Sequence, residues 1–187
     1  TTTTASFALS AFLRSLLTNE APFQEFLKGD SEAITESQKL GAMLFFGKAG
    51  CADCHNGPAF SNMNFYALGT ADLYERGGLN TSADDVRIRG RAAFTGDEKD
   101  MFKFKVPQLY NLQSYETFFH GSSKESIEEV IKFKLVAQSE NTNVPQEMMD
   151  LSAVYLSPEE QVQLIDFLSN ALYDDNMDRY VPTGVLS

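Results

Sequence analysis

A mainly α-helical fold with long loops and at most short strands is predicted by three features of the sequence. Three helix starts carry their own capping chemistry, apolar residues recur three and four apart behind each, and no alternating run is long enough for a sheet. Thr35 with Gln38, Ser126 with Glu129, and Ser157 with Glu160 all have the S/T-x-x-E/Q spacing. In that capping box the hydroxyl accepts from the third helical N–H while the longer side chain reaches back to the cap. Pro158 adds a residue whose φ is already set for the first helical position.

In chain order, the first predicted element is a weaker helix over residues 6–17, ending before Pro22. The second follows Thr35, where Leu40, Met43, Leu44 and Gly47 share one stripe. The segment FKFKV has enough apolar character to pair briefly as a strand. A third helix follows Ser126 through IEEVIKFKLV. The fourth follows Ser157 and puts Leu164, Ile165, Leu168, Ala171 and Leu172 on one face. All are read as amphipathic helices on a common core, with the Phe-rich positions filling it. Two polar stretches, 68–101 and 138–156, are long for a compact domain, and loops of that length usually wrap a cofactor or meet a partner.

With 187 residues, 43% of them hydrophobic, the chain can build one sizeable core. A net charge of −11 excludes the basic stripe that nucleic-acid binding needs, and an acidic face suits a basic protein partner. No apolar run approaches the ~20 residues of a membrane span. The start, TTTTASFALSAFLRSLL, has neither a positively charged lead nor a cleavage pattern. The expectation is a soluble chain that has been processed from a longer one.

The chemistry is concentrated in CADCHNGP, residues 51–58, which hold both cysteines of the chain. Two cysteines three apart make a poor structural disulfide. Zinc would need four ligands, and two Cys and two His far apart do not supply them comfortably. A thioredoxin-like dithiol expects a βαβ setting that the helical pattern lacks. C-x-x-C-H, by contrast, is the attachment signature of c-type haem. Cys51 and Cys54 reach the vinyl groups and His55 is the proximal ligand. The plain alternative is a free, reduced thiol pair beside a surface histidine.

The run AFLRSLLTNEAPFQEFLKGDSEAITESQKLGAMLFFGKAGCADCHNGPAFSNMNFYALGT is followed by GRAAFTGD, FKVPQLYNL, FFHGSSKESIEEVIKF and LSPEEQVQLIDFL. Together these resemble the C-terminal half of bacterial di-haem cytochrome c peroxidases and of the related MauG-like maturase that oxidises tryptophans in methylamine dehydrogenase. The resemblance implies a helical lead-in over residues 1–30, similar to the family's inter-domain segment, and a c-type cytochrome domain over 31–187. It further implies one covalent haem c, a periplasmic location, calcium at a domain interface, and a second haem-bearing domain or chain that meets peroxide. A small redox protein would donate electrons. Only one C-x-x-C-H and no Trp are present, so the second haem is expected on a separate or cleaved partner. A solitary electron carrier, or a haem module serving assembly or sensing, is the alternative.

Three departures from the family bear on the site. Leu109, Tyr110 and Asn111 stand where relatives usually have Leu-Arg-Asn, so a propionate-facing cation is missing. Tyr115, Glu116 and Thr117 replace a Thr-x-Pro whose carbonyls ligate calcium. The distal ligand of the family's C-terminal haem, Met or Tyr, falls fourteen positions after the His of a Phe-His-x-Gly phrase; here that His is His120 and the position is Lys134. Helical spacing reaches Lys134 independently, because Ile127, Val130, Ile131 and Lys134 form one apolar stripe. The alternative is a snorkelling lysine that complements the helix C-terminus. Met148, Met149 and His120 are rival sixth ligands, with His120 better suited to hydrogen bonding near the haem. Met63 and Tyr66 are expected to line the pocket, and Asp174, Asp175 and Asp178 to form a solvated acidic surface. No arrangement for hydrolytic or phosphoryl chemistry competes, and a six-coordinate iron would favour electron transfer over catalysis on this chain.

Overall fold

A computed structural model describes residues 1–77 and 81–181. Among the described residues six α-helices follow in order: α1 (Thr2–Ser15), α2 (Pro22–Leu27), α3 (Glu36–Phe46), α4 (Ala92–Thr95), α5 (Ile127–Val136) and α6 (Pro158–Asp166). The only sheet among the described residues is β1 (Phe65–Tyr66) against β2 (Phe104–Lys105), antiparallel, with Phe65 opposite Lys105. FKFKV thus pairs as briefly as its length allows. The long loops are organised by short 3₁₀ turns, at Val86–Arg89, Glu98–Asp100 and Gln146–Met148.

Capping chemistry sets the helix starts. Thr35 and Ser157 form complete capping boxes with Gln38 and Glu160. At α5 only half of the box exists: Ser126 Oγ accepts from Glu129 N, while the Glu129 carboxylate accepts from Glu125 N, one residue further back. α1 begins earlier than predicted because the Thr1 hydroxyl accepts from Thr4 N and caps the threonine run. Threonine's weak helix propensity hides such a start.

α6 runs into a wide π turn, Phe167–Ala171, and its predicted face is the floor of the core: Leu164, Leu168, Ala171 and Leu172 are all buried. α3 is rotated from its predicted stripe, of which Leu44 still packs on the core. Met43 is 72% exposed and Leu40 is also exposed, whereas Gly41, Ala42 and Phe45 are buried. The cause is a close helix crossing: a Cβ on Gly41 would lie 2.1 Å from the Gln163 carbonyl oxygen of α6. Phe45 and Phe60 then meet Phe23, Phe167 and Tyr110 edge-on or tilted, with centroids 5.0 to 5.5 Å apart in the Phe23–Phe167, Phe45–Phe60 and Phe60–Tyr110 pairs. Within the expected 1–30 lead-in, α2 belongs to this core through Ala21 and Phe23, while α1 buries no residue.

Asp174 corrects the expectation of a solvated acidic surface. It is 1% exposed, and Arg179 donates to both of its carboxylate oxygens, at 2.9 and 2.8 Å.

Candidate functional site

A cavity of about 600 Å³ lies between α3, α5, α6 and the loops around residues 50–55, 102–120 and 150–154. That volume is in the middle of the ~300–1,000 Å³ range of ligand sites. Phe45, Leu109, Leu112, Leu164 and Leu168 give it an apolar body.

One wall carries the cysteine motif. Gly50 adopts a left-handed conformation, and Cys51–Asp53 form a single 3₁₀ turn that ends at Cys54. The chain then closes with His55 N donating to the Cys51 carbonyl at 2.9 Å. Cys51, Cys54 and His55 all line the cavity, and the two thiols are free rather than bonded to one another. His55 Nδ1 donates to the Phe60 carbonyl at 2.9 Å, which fixes the tautomer whose Nε2 lone pair is available to a metal. That loop is braced from behind: Gln24 Nε2 donates to Tyr110 Oη, whose hydroxyl donates to the Pro58 carbonyl. Tyr110, at the position where relatives carry a cation, is therefore a core residue; Lys105 is a cation that does line the cavity.

A second wall is α5. All four residues of its predicted stripe, Ile127, Val130, Ile131 and Lys134, line the cavity. The Lys134 ammonium stands 5.7 Å from the Phe119 ring centroid. Electrostatics across this space favour neutral groups. Burial lowers Lys134 to about 8, with the two thiols pulling weakly the other way. Burial pushes Cys51 up to about 11, against the Lys134 charge. Burial also lowers His55, opposed by the Phe60 carbonyl and reinforced by Lys134. Neutral imidazole and neutral amine are the forms in which nitrogen binds a metal.

His120 lies on a third wall, with both ring nitrogens engaged. Nε2 donates to Asp72 Oδ1 at 2.8 Å, and Nδ1 is 3.3 Å from Thr70 Oγ1. Phe104 stacks on the ring at 3.7 Å between centroids. This is a hydrogen-bonded wall residue, and the ligand alternative finds no free nitrogen. Met148 and Met149 do not line the cavity, and Met148 is 40% exposed. Tyr66 lines it as expected, but Met63 does not; Met63 is 55% exposed on the outer side of the loop. Among the described residues no three His, Cys, Asp or Glu side chains converge as a metal-ion site, so side chains lend the calcium expectation no support. Sequence reasoning missed Thr70, Asp72 and Asn141, polar residues of the long loops with no motif to mark them.

The residues present fit a covalently held porphyrin. Two unpaired thiols one turn apart, an imidazole with Nδ1 held by a carbonyl and a large, mainly apolar cavity are the features such a group needs. No protein-family model matches the chain. Cytochrome-c peroxidase IdrP2 of Pseudomonas sp. (strain SCT) is 33% identical over 177 residues, covering 86% of this chain and 46% of the relative. The methylamine utilization protein MauG of Methylorubrum extorquens is 30% identical over 161 residues, covering 86% of this chain and 42% of the relative. A solved MauG-like protein associated with microbial copper homeostasis superposes with a TM-score of 0.69 at 23% identity, covering 85% of this chain and 53% of that one. The chain belongs to the di-haem cytochrome c peroxidase and MauG-like family. It spans about half the length of the curated relatives it matches.

Proposed function

We propose that this chain is the electron-relaying c-type haem portion of a di-haem peroxidase-like oxidoreductase, corresponding to the C-terminal half of its relatives. The observation that carries this reading is that a single cavity gathers Cys51, Cys54, His55 and Lys134. In this reading Cys51 and Cys54 would hold the group through thioether links and His55 Nε2 would be a nitrogen donor to its metal. Lys134 Nζ is the sixth donor, its proton loosened by burial. Haem, when bound, supplies a one-electron redox centre. The chain's own residues orient it, exclude water from its face and set the donor atoms that tune it. Were His55 and Lys134 both to hold the group, peroxide chemistry would belong to a second haem-bearing domain or chain, and a small redox protein would be the electron source. In this reading covalent attachment makes the periplasm the expected compartment. Among the described residues no helix is long and apolar enough to cross a membrane.

The test is expression with the haem-attachment machinery, followed by the mass of the denatured polypeptide. A mass equal to that of the bare chain overturns the reading. In the loaded protein, Lys134→Ala is expected to convert a low-spin ferric spectrum to high-spin, and an unchanged low-spin spectrum removes Lys134 from the iron. Copurification with a second haem-bearing chain is the expected partner result. A monohaem monomer that exchanges electrons without promoting peroxide reduction in any partner assigns the chain to the solitary carriers instead.

A further inference from the structure

His120 stands in the partition between two cavities. Besides the large one, it lines an outer pocket of about 170 Å³ that includes Asp72, Asp85 and Arg87. Phe104, stacked on the imidazole, lines both. Thr70 lines only the inner cavity and Asp72 only the outer pocket, so the hydrogen bonds Thr70 Oγ1–His120 Nδ1 and His120 Nε2–Asp72 Oδ1 cross the wall from one to the other. Gly121 makes this contact possible: a Cβ there would lie 1.9 Å from the Ala71 carbonyl oxygen.

Asp72 is 2% exposed, and among the described residues His120 is its only ion-pairing partner. Asn141 Nδ2 donates to its second oxygen at 2.8 Å. A buried carboxylate is costly unless a cation compensates it. The ring can adopt either charge without moving a heavy atom. Neutral His120 donates from Nε2 to Asp72 and accepts from the Thr70 hydroxyl at Nδ1. Protonated His120 donates from both nitrogens, and only the Thr70 hydroxyl turns round.

We propose that Thr70, His120 and Asp72 form a proton relay through the cavity wall, in which His120 gains a proton when the inner cavity gains an electron. The inference rests on the haem-bearing reading above. One electron comes from a one-electron reductant and one proton from solvent; the Thr70 hydroxyl hands its hydrogen to His120 Nδ1 and takes up the solvent proton, Nε2 keeps its hydrogen on Asp72, and the net charge inside the wall stays constant. On re-oxidation both leave. In a low-dielectric interior this compensation favours uptake of the electron. Other charges face the relay from both sides. In the outer pocket Asp85 and Arg87 pair with each other; beside Asp72, the Glu75 carboxylate accepts from Asp72 N and from Thr142. Around the inner cavity stand His55, Lys105, Lys134 and Asp150.

The test is potentiometric titration of the haem-loaded protein with redox mediators across ~pH 5 to 8, where imidazole changes charge. The expected result is a potential that falls with rising pH over part of this range. Its limiting slope is a tenfold change in the reduction equilibrium per pH unit, or 59 mV. His120→Gln is expected to flatten that segment, and Asp72→Asn to weaken it, because the buried carboxylate that compensates a charged ring is gone. Should these variants fail to fold, the His120 ring is titrated by NMR in the oxidised and reduced wild-type protein, with a higher midpoint expected in the reduced form. A pH-independent wild-type potential, an unchanged slope in His120→Gln, or identical midpoints in the two redox states overturns the relay alone. A chain that acquires no covalent haem overturns both the relay and the reading beneath it.

Discussion

Gly41 carries the sharpest disagreement between local propensity and tertiary contact. In an isolated helix Gly is worse than Ala by roughly 0.5–1 kcal/mol, so Gly41→Ala looks stabilising from sequence. In the fold, the added Cβ would meet backbone, the Gln163 carbonyl oxygen at 2.1 Å, as well as Phe167 Cβ at 2.7 Å. Backbone cannot swing aside as a side-chain tip can, so α3 and α6 would have to separate. Overpacking of this kind typically costs ~1–3 kcal/mol. Gly41→Ala is therefore expected to destabilise the protein by about that amount in denaturant titration, and a stabilised variant would show that the helices are not in contact there. The same residue marks a limit of legibility. C-x-x-C-H could be read because its chemistry lies within five consecutive residues. The buried face of α3 could not, because residues more than a hundred positions away decide it. His120 was visible through its phrase, whereas its partner Asp72 lies 48 residues away in a stretch without a pattern.

At the scale of elements, capping was legible and pairing was not. Ser157 and Thr35 announce helix starts because hydroxyl and N–H lie three residues apart, and the stripe read from the period of α5 does line the cavity. The closing turn Met177–Tyr180 gave no such signal. Arg179 projects from it to the buried Asp174 carboxylate and also donates to the Leu17 carbonyl and to Asn19, while Tyr180 Oη donates to Leu17 as well. Glu20 N donates to the same carboxylate, so one ion pair ties the segment before α2 to the end of the described chain. Arg179 holds the Asp174 carboxyl below its ordinary 3.8, against the opposing effect of burial. A depressed carboxylate stabilises the fold fully above its unfolded value and loses that contribution as pH falls through the lower folded value. The thermal midpoint of the loaded protein is thus expected to fall steadily as pH drops below ~4. Asp174→Asn should start from a lower midpoint at neutral pH and show a shallower decline. A decline of equal slope in the variant would assign the acid sensitivity to other carboxylates.

For the whole molecule, the cavity sets the terms of stability. Its walls come from α3, α5 and α6, the same helices that make the core, so the core is a shell around a space of about 600 Å³. An enclosed apolar void costs about 24 cal/mol per Å³, which at this size is on the order of 10 kcal/mol. That figure is an upper bound, because the space is partly open to solvent and carries polar groups. A fold with such a shell depends on what fills it, because an occupant that binds only the native state adds its binding free energy to folding. Cys51→Ser combined with Cys54→Ser removes the covalent links while leaving the size and polarity of the wall nearly unchanged. This double variant, prepared free of haem, is expected to keep much of its far-UV circular dichroism. It should lose near-UV signal, bind a hydrophobic dye and unfold broadly, the signature of helices without fixed packing. The loaded protein should instead unfold in one cooperative transition. If the haem-free double variant unfolds as sharply and at the same temperature, helix packing alone holds the shell open, and the cavity's occupant contributes nothing to folding.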